Sequence, residues 1–215
     1  MKMKDYYRQL PSQAHAYTAW FHNESLTYSM KWRGVPIWKT PSDMWIYQEI
    51  VTEIRPTRIV EFGTAFGGSA LFYADMLDLL NIDGEVLTVD IDASRLQATH
   101  PRLRFLLGDP ASQEIAAEVR AFCNGTGPVL LIDDSDHSYQ HVHDELNLYH
   151  DLVTPGSCFV VEDGGMGYGL QDEPSGVVRA CFEFLQAHPE FQVDWTRNRF
   201  GHTTIYGGFL RKVIQ

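Results

Sequence analysis

The chain has 215 residues, enough to bury one core of ordinary domain size, and 44% of them are hydrophobic. Seventeen lysines and arginines against 28 acids leave a net charge of -11, which disfavours nucleic acid and anionic membrane surfaces as partners. No apolar run approaches the roughly 18 residues of a membrane span, and MKMKDYYRQLPSQ lacks the apolar stretch of a secretory signal, so a cytoplasmic location is expected.

The first 45 residues contain no strand–helix unit. They carry Tyr6, Tyr7, Tyr17, Trp20, Phe21, Tyr28, Trp32, Trp38 and Trp45 and the turn-like WRGVPIWKTPSD, and they read as helical pieces and a loop forming a lid over one end of a sheet. Such aromatics suit packing against the core and lining of a pocket equally, and they offer a surface for homo-oligomer formation. Ser42 or Asp43 is placed to cap a helix over 43–54, which Pro56 ends.

Strand and helix patterns then alternate. Strands are expected at 58–61, 85–90, 103–107, 129–133 and 157–161, with helices at 69–80, 112–122, 139–152 and 176–187. Residues 164–169 (GGMGYG) read as a mobile loop, and 191–195 and 203–213 as a closing antiparallel pair. Repeated units of this kind predict one domain over 1–215, an α/β Rossmann-like, doubly wound and mostly parallel sheet with an antiparallel C-terminal strand. Cys123, Cys158 and Cys181 fit no C-x-x-C pattern and are expected to be buried reduced thiols.

Ligands of such sheets bind beyond the carboxyl ends of the strands. The first strand ends in E-x-G-x-x-x-G-x-S, with Glu61, Gly63, Thr64, Gly67 and Ser69. A strand that breaks at glycines and restarts as a helix presents bare N–H groups and a positive dipole end. Three residues separate the first glycine from the next pair, unlike G-x-G-x-x-G, and an acid before the turn repels pyrophosphate, which counts against a nicotinamide-dependent oxidoreductase. The motif resembles the first motif of class I S-adenosylmethionine (SAM) methyltransferases. Asp90 falls where such sheets place the acid for ribose hydroxyls, with Asp92 as the competing choice. Asp109, Ser112 and Gln113 follow the third strand near an expected adenine edge, Ser112 doubling as a helix cap.

The fourth and fifth strands end in IDDSDHS and VVEDGG. If those strands are neighbours, Asp134, Glu162 and Asp163 emerge together as oxygen ligands suited to Mg²⁺, with Asp133 and Asp136 as further candidates. His137 then stands where a general base for a hydroxyl proton is needed. His141 and His143 raise the rival of a zinc site, and a non-catalytic SAM-binding protein is the third alternative.

EFGTAFGGSALFYADML, LTVDID, IDDSDHS, VVEDGG, GGFLRK and WRGVPIWKTPSDMWIYQEI together resemble the cephalosporin hydroxylase and rhamnosyl O-methyltransferase family, which is related to macrolide-sugar O-methyltransferases and more remotely to catechol O-methyltransferase. The resemblance implies a SAM- and Mg²⁺-dependent O-methyltransferase acting on a hydroxyl of a sugar or another polyhydroxylated small molecule. It implies Glu61, Gly63 and Ser69 in the cofactor motif and Asp90 at the ribose. It also implies Asp134, Glu162 and Asp163 as Mg²⁺ ligands and His137 as catalytic base.

Overall fold

In the computed structural model, residues 17, 20, 21, 23–125, 127–164 and 176–213 are described. Most of the expected 164–169 loop, and Tyr6 and Tyr7, lie outside them. The chain runs through a hairpin of β1 (Lys31–Trp32) and β2 (Val35–Pro36), then α1 (Pro41–Ile54), β3 (Arg58–Phe62), α2 (Gly68–Leu79), β4 (Glu85–Asp90) and β5 (Leu103–Leu107). It continues through α3 (Gln113–Cys123), β6 (Val129–Asp133), α4 (Tyr139–Tyr149), β7 (Cys158–Val161), α5 (Gly176–Ala187), β8 (Phe191–Val193) and β9 (Phe209–Lys212).

Seven strands form one sheet in the order β5-β4-β3-β6-β7-β9-β8, parallel except for β9, which is antiparallel to both neighbours. Side chains alternate across it. Ile59, Val86, Leu130 and Val160 pack with α1 and α2 on one face. Val60, Phe62, Leu131, Phe159 and Val161 pack with α3, α4 and α5 on the other. The same parity sends Glu61 and Thr88 toward the α1–α2 face and Asp133 toward α4. After β5 the chain returns to the opposite side of β3 to form β6, so the order switches between β3 and β6.

Four local expectations change. The cap of α1 is Thr40, whose hydroxyl accepts from Asp43 N at 3.2 Å and donates to Asp43 Oδ2 at 2.8 Å, because Pro41 is pre-set for the first helical position. Asp43 is instead buried, and its Oδ2 accepts from Thr204 N at 2.9 Å. That bond draws residues 203–208 out of the ladder, so the last strand is Phe209–Lys212 only. Helix 139–152 becomes α4 plus a 3₁₀ turn at His150–Leu152, and Trp195 starts a 3₁₀ turn rather than ending β8. The three cysteines are buried and free, as expected.

Candidate active site

The glycine turn after β3 sits at the switch point. Gly63 has φ +89°, and a Cβ there would stand 2.0 Å from the Asp134 carbonyl oxygen, so this position is closed to any side chain. Asp90 holds the turn: its Oδ2 accepts from Thr64 N at 2.8 Å and Ala65 N at 2.9 Å. Asp92 is exposed, accepts from Ser94, and is absent from the cavity wall. Gly67, at φ +81°, caps α2 behind the turn. Glu61 lies beneath it, fully buried. One of its oxygens accepts from the Thr88 hydroxyl at 2.8 Å and the other, Oε1, has no hydrogen-bond partner among the described residues. Burial pushes its carboxyl up to about 7 against the pull of Lys39, Ser69 and Thr88.

A cavity of about 560 Å³ opens above these residues, a volume suited to a nucleoside-sized ligand. Thr64, Phe66 and Ser69 form its floor, and Asp90, Ile91, Asp109 and Pro110 one end. Tyr28 and the segment Pro36–Lys39 roof it, with Trp38 edge-on to Phe66 at 5.3 Å and to Tyr28 at 5.2 Å. Ser112 is in the wall of neither end: it caps α3, its hydroxyl accepting from Ile115 N at 3.3 Å.

The other end of the cavity is acidic. β6 and β7 are neighbours, and Asp134, Asp136, His137, His141 and Asp163 line the wall. Asp134, His137 and Asp163 bring ligand atoms within 4.8 Å of one another. His137 Nε2 lies 3.0 Å from Asp163 Oδ2. Burial opposes charge on this imidazole, but the Asp163 hydrogen bond, with the charges of Asp163 and Asp134, holds it up at about 9. Asp163 has φ +59°, in the left-handed region that few side chains occupy.

Glu162 is not alongside them in the wall. It is buried and accepts from Tyr47 OH at 2.5 Å and from the Lys39 ammonium, which also lies 2.5 Å from Asp134 Oδ2. Lys39 is only 2% exposed. Burial alone would lower its pKa, but Asp134 and Glu162 together keep it well above the usual lysine value. Asp133 turns away from the cavity, its Oδ1 accepting from Ser135, and burial beside Glu145 drives its pKa well up. His141 pairs with buried Glu145 at 2.9 Å and His143 with Asp144 at 3.2 Å, so the histidines do not converge on one ligand set with His137.

Lys39 and Tyr47 are the residues sequence reasoning missed. The available signal was a lone lysine in the apolar run VPIWKTP, in a chain whose strand-end acids need a counter-charge. The donor set suits a hard cation: Asp134 and Asp163 present carboxylate oxygens to the cavity, and Glu162 becomes available where Lys39 yields it. The turn, the orphaned Glu61 oxygen beneath it and the cavity above it suit a nucleoside bearing a cationic group.

Against known proteins, the profile of the family described as Rhamnosyl O-methyltransferase/CmcI matches residues 24–213. The chain belongs to this family. A rhamnosyl O-methyltransferase of Mycobacterium leprae (strain TN) is 34% identical over 211 residues, covering 95% of this chain and 92% of the relative. One from Mycobacterium bovis (strain BCG / Pasteur 1173P2) is 33% identical over 215 residues, covering 95% and 87%. A solved CmcI structure with Mg and SAM shares the fold at a TM-score of 0.72 and 24% identity over 87% of this chain and 78% of that one. The O-methyltransferase from Bacillus cereus in complex with SAH shares it at 0.58 and 15%, over 86% and 84%. As a member of the rhamnosyl O-methyltransferase/CmcI family with the class I methyltransferase fold, the protein is a SAM-dependent O-methyltransferase.

Proposed function

We propose that this enzyme methylates a hydroxyl of a sugar or another polyhydroxylated small metabolite with the help of Mg²⁺. The observation that carries this reading is one continuous cavity wall. It runs from Asp90 and Asp109, which would meet the ribose and base in this reading, past the turn Gly63–Thr64 and Ser69, to Asp134, His137 and Asp163. The names of the mycobacterial relatives, which specify a rhamnosyl acceptor, support a deoxysugar or glycoside here. The whole chain is read as one domain with residues 1–45 as its lid.

Asp134 and Asp163, with Glu162 joining them, would hold the Mg²⁺. When bound, the ion would acidify and orient acceptor hydroxyls and oppose the carboxylates that raise His137. The protein's own residues do the rest. The turn and Asp90 fix the donor so that its methyl points along the wall, and Trp38 and Phe66 exclude water from the sulfonium. His137, set by Asp163, accepts the hydroxyl proton. The new O–C bond forms as the methyl–sulfur bond breaks, and S-adenosylhomocysteine (SAH) leaves carrying the bonding pair. Positioning and a matched proton acceptor account for the acceleration.

The experiment is methyl transfer from labelled SAM to a panel of rhamnosides and other glycosides, with and without EDTA. Transfer that needs Mg²⁺ and a glycoside hydroxyl supports the proposal. Full turnover in EDTA removes the metal from it, and no transfer across the panel removes the sugar.

A further inference from the structure

At the rim opposite the active site, three side chains converge that the reaction does not use. His150 comes from the 3₁₀ turn after α4, His188 from the residue after α5, and Glu190 from the turn before β8. β8 runs parallel to β7 through β9, Val213 N donates to Glu190 O at 2.8 Å, and Lys212 N donates to Ser157 O at 2.9 Å. Glu190 therefore sits beside the start of β7, whereas Asp163 follows its end.

Ligand atoms of all three lie within 4.8 Å of one another. His188 Nδ1 is 3.3 Å from Glu190 Oε1 and His150 Nδ1 is 4.0 Å from it. Donors of a tetrahedral ion with bonds of about 2.0–2.1 Å lie roughly 3.4 Å apart, so small side-chain rotations bring this triangle to metal geometry. The rings of His150 and His188 are 4.1 Å apart and press on Phe184, with Phe191 beyond. His150 Nδ1 is buried without a hydrogen-bond partner among the described residues, which is costly for a ring nitrogen unless something else takes its lone pair. The nearby Lys212 ammonium is directed at the His150 carbonyl oxygen, 3.3 Å away, and at the Phe191 ring, not at the triangle.

We propose that His150, His188 and Glu190 form a second metal site, selective for a borderline ion such as Zn²⁺ over Mg²⁺. Two imidazoles and one carboxylate, with water as the fourth ligand, favour nitrogen-preferring ions, unlike the oxygen-only acids of the active-site rim. The ion ties the turn after α4, the end of α5 and the turn before β8 into one unit.

The experiment uses the full chain stripped with chelator and then held in excess Mg²⁺. Co²⁺ is titrated while visible absorption is read, Zn²⁺ by calorimetry, and thermal unfolding is followed with each. One equivalent with the absorption of histidine-ligated cobalt, displaced by Zn²⁺ and raising the Tm, is expected. His188→Gln and His150→Gln should each weaken binding by about tenfold or more and cancel the Tm gain. His188→Gln should retain methyl transfer, which also shows that it folds. Asp134→Asn should bind as the parent does. No binding in the parent chain under Mg²⁺, or binding lost in Asp134→Asn and kept in the histidine variants, overturns the proposal.

Discussion

Lys39 places its ammonium 2.5 Å from Asp134 Oδ2, and with Glu162 as its second partner it is the buried cation of an otherwise acidic rim. Two carboxylates on adjacent strand ends repel one another in a low-dielectric interior, and one positive charge between them offsets that repulsion. Lys39→Met removes the charge and leaves both acids unpaired. The metal-free variant is expected to lose about 3–5 kcal/mol of stability, the usual cost of breaking a buried pair. Added Mg²⁺ should restore part of it, so the Mg²⁺-induced shift in urea midpoint should be larger in Lys39→Met than in the parent. Urea unfolding with and without Mg²⁺ checks both statements.

The switch point leaves no room beside Gly63. In Gly63→Ala the methyl would meet the Asp134 carbonyl oxygen, 2.0 Å away, in a backbone conformation of φ +89° that alanine resists. Both strain terms act at once, and the turn must move away from β6. The expected outcome is a loss of several kcal/mol of stability, on the order of the 1–3 kcal/mol strained-backbone cost plus the clash. SAH binding by calorimetry should fall below detection. An unchanged SAH affinity would mean that the turn does not carry the donor.

The strands and their mostly parallel order were legible because aliphatic runs and glycine turns are local signals that burial reinforces, whereas the adjacency of β6 and β7 is a long-range pairing that only the structure supplies. Five expected strands reappear within one residue at each end. The cap of α1 was not legible, because Thr40, Ser42 and Asp43 can all cap and only the fixed backbone of Pro41 selects among them. The end of the sheet was misread for a similar reason. TTIYGG alternates like a strand, but the Thr204 N–H finds Asp43, 161 positions earlier in the chain, instead of a ladder partner. Asp134, His137 and Asp163 were legible as strand-end chemistry. The inward turn of Glu162 was not, since it depends on Lys39 and Tyr47, more than 100 residues distant.

His137 faces the cavity on one side and Asp163 on the other, an arrangement that fixes the ring and, once a bound cation opposes Asp163 and Asp134, would leave it able to take a proton. His137→Ala is expected to lower kcat by ~10²–10⁴-fold, the range typical of a lost general base. SAM affinity should stay within a few-fold of the parent, because the imidazole is at the acceptor end of the wall. Turnover assays paired with SAM calorimetry separate these effects. A matching loss of SAM binding would reassign His137 to donor binding.

Glu61 ties stability to pH in the ligand-free protein. Its carboxyl is fully buried and raised to about 7, so the folded state prefers the protonated form more strongly than the unfolded chain does. A group raised in this way contributes its full stability below its unfolded value near 4.3 and loses it as pH climbs through the folded value. Between those limits the parent should lose stability relative to Glu61→Gln by about 3 kcal/mol, an upper figure for a group this deep. Glu145, also raised to about 7 by burial, and Asp133 add slopes of the same sign, but they are common to both proteins and cancel in the difference. Urea unfolding of the two proteins at about pH 5 and about pH 8 measures that difference. Curves that run parallel across this range would place the Glu61 carboxylate in contact with solvent or with a cation strong enough to hold it ionised.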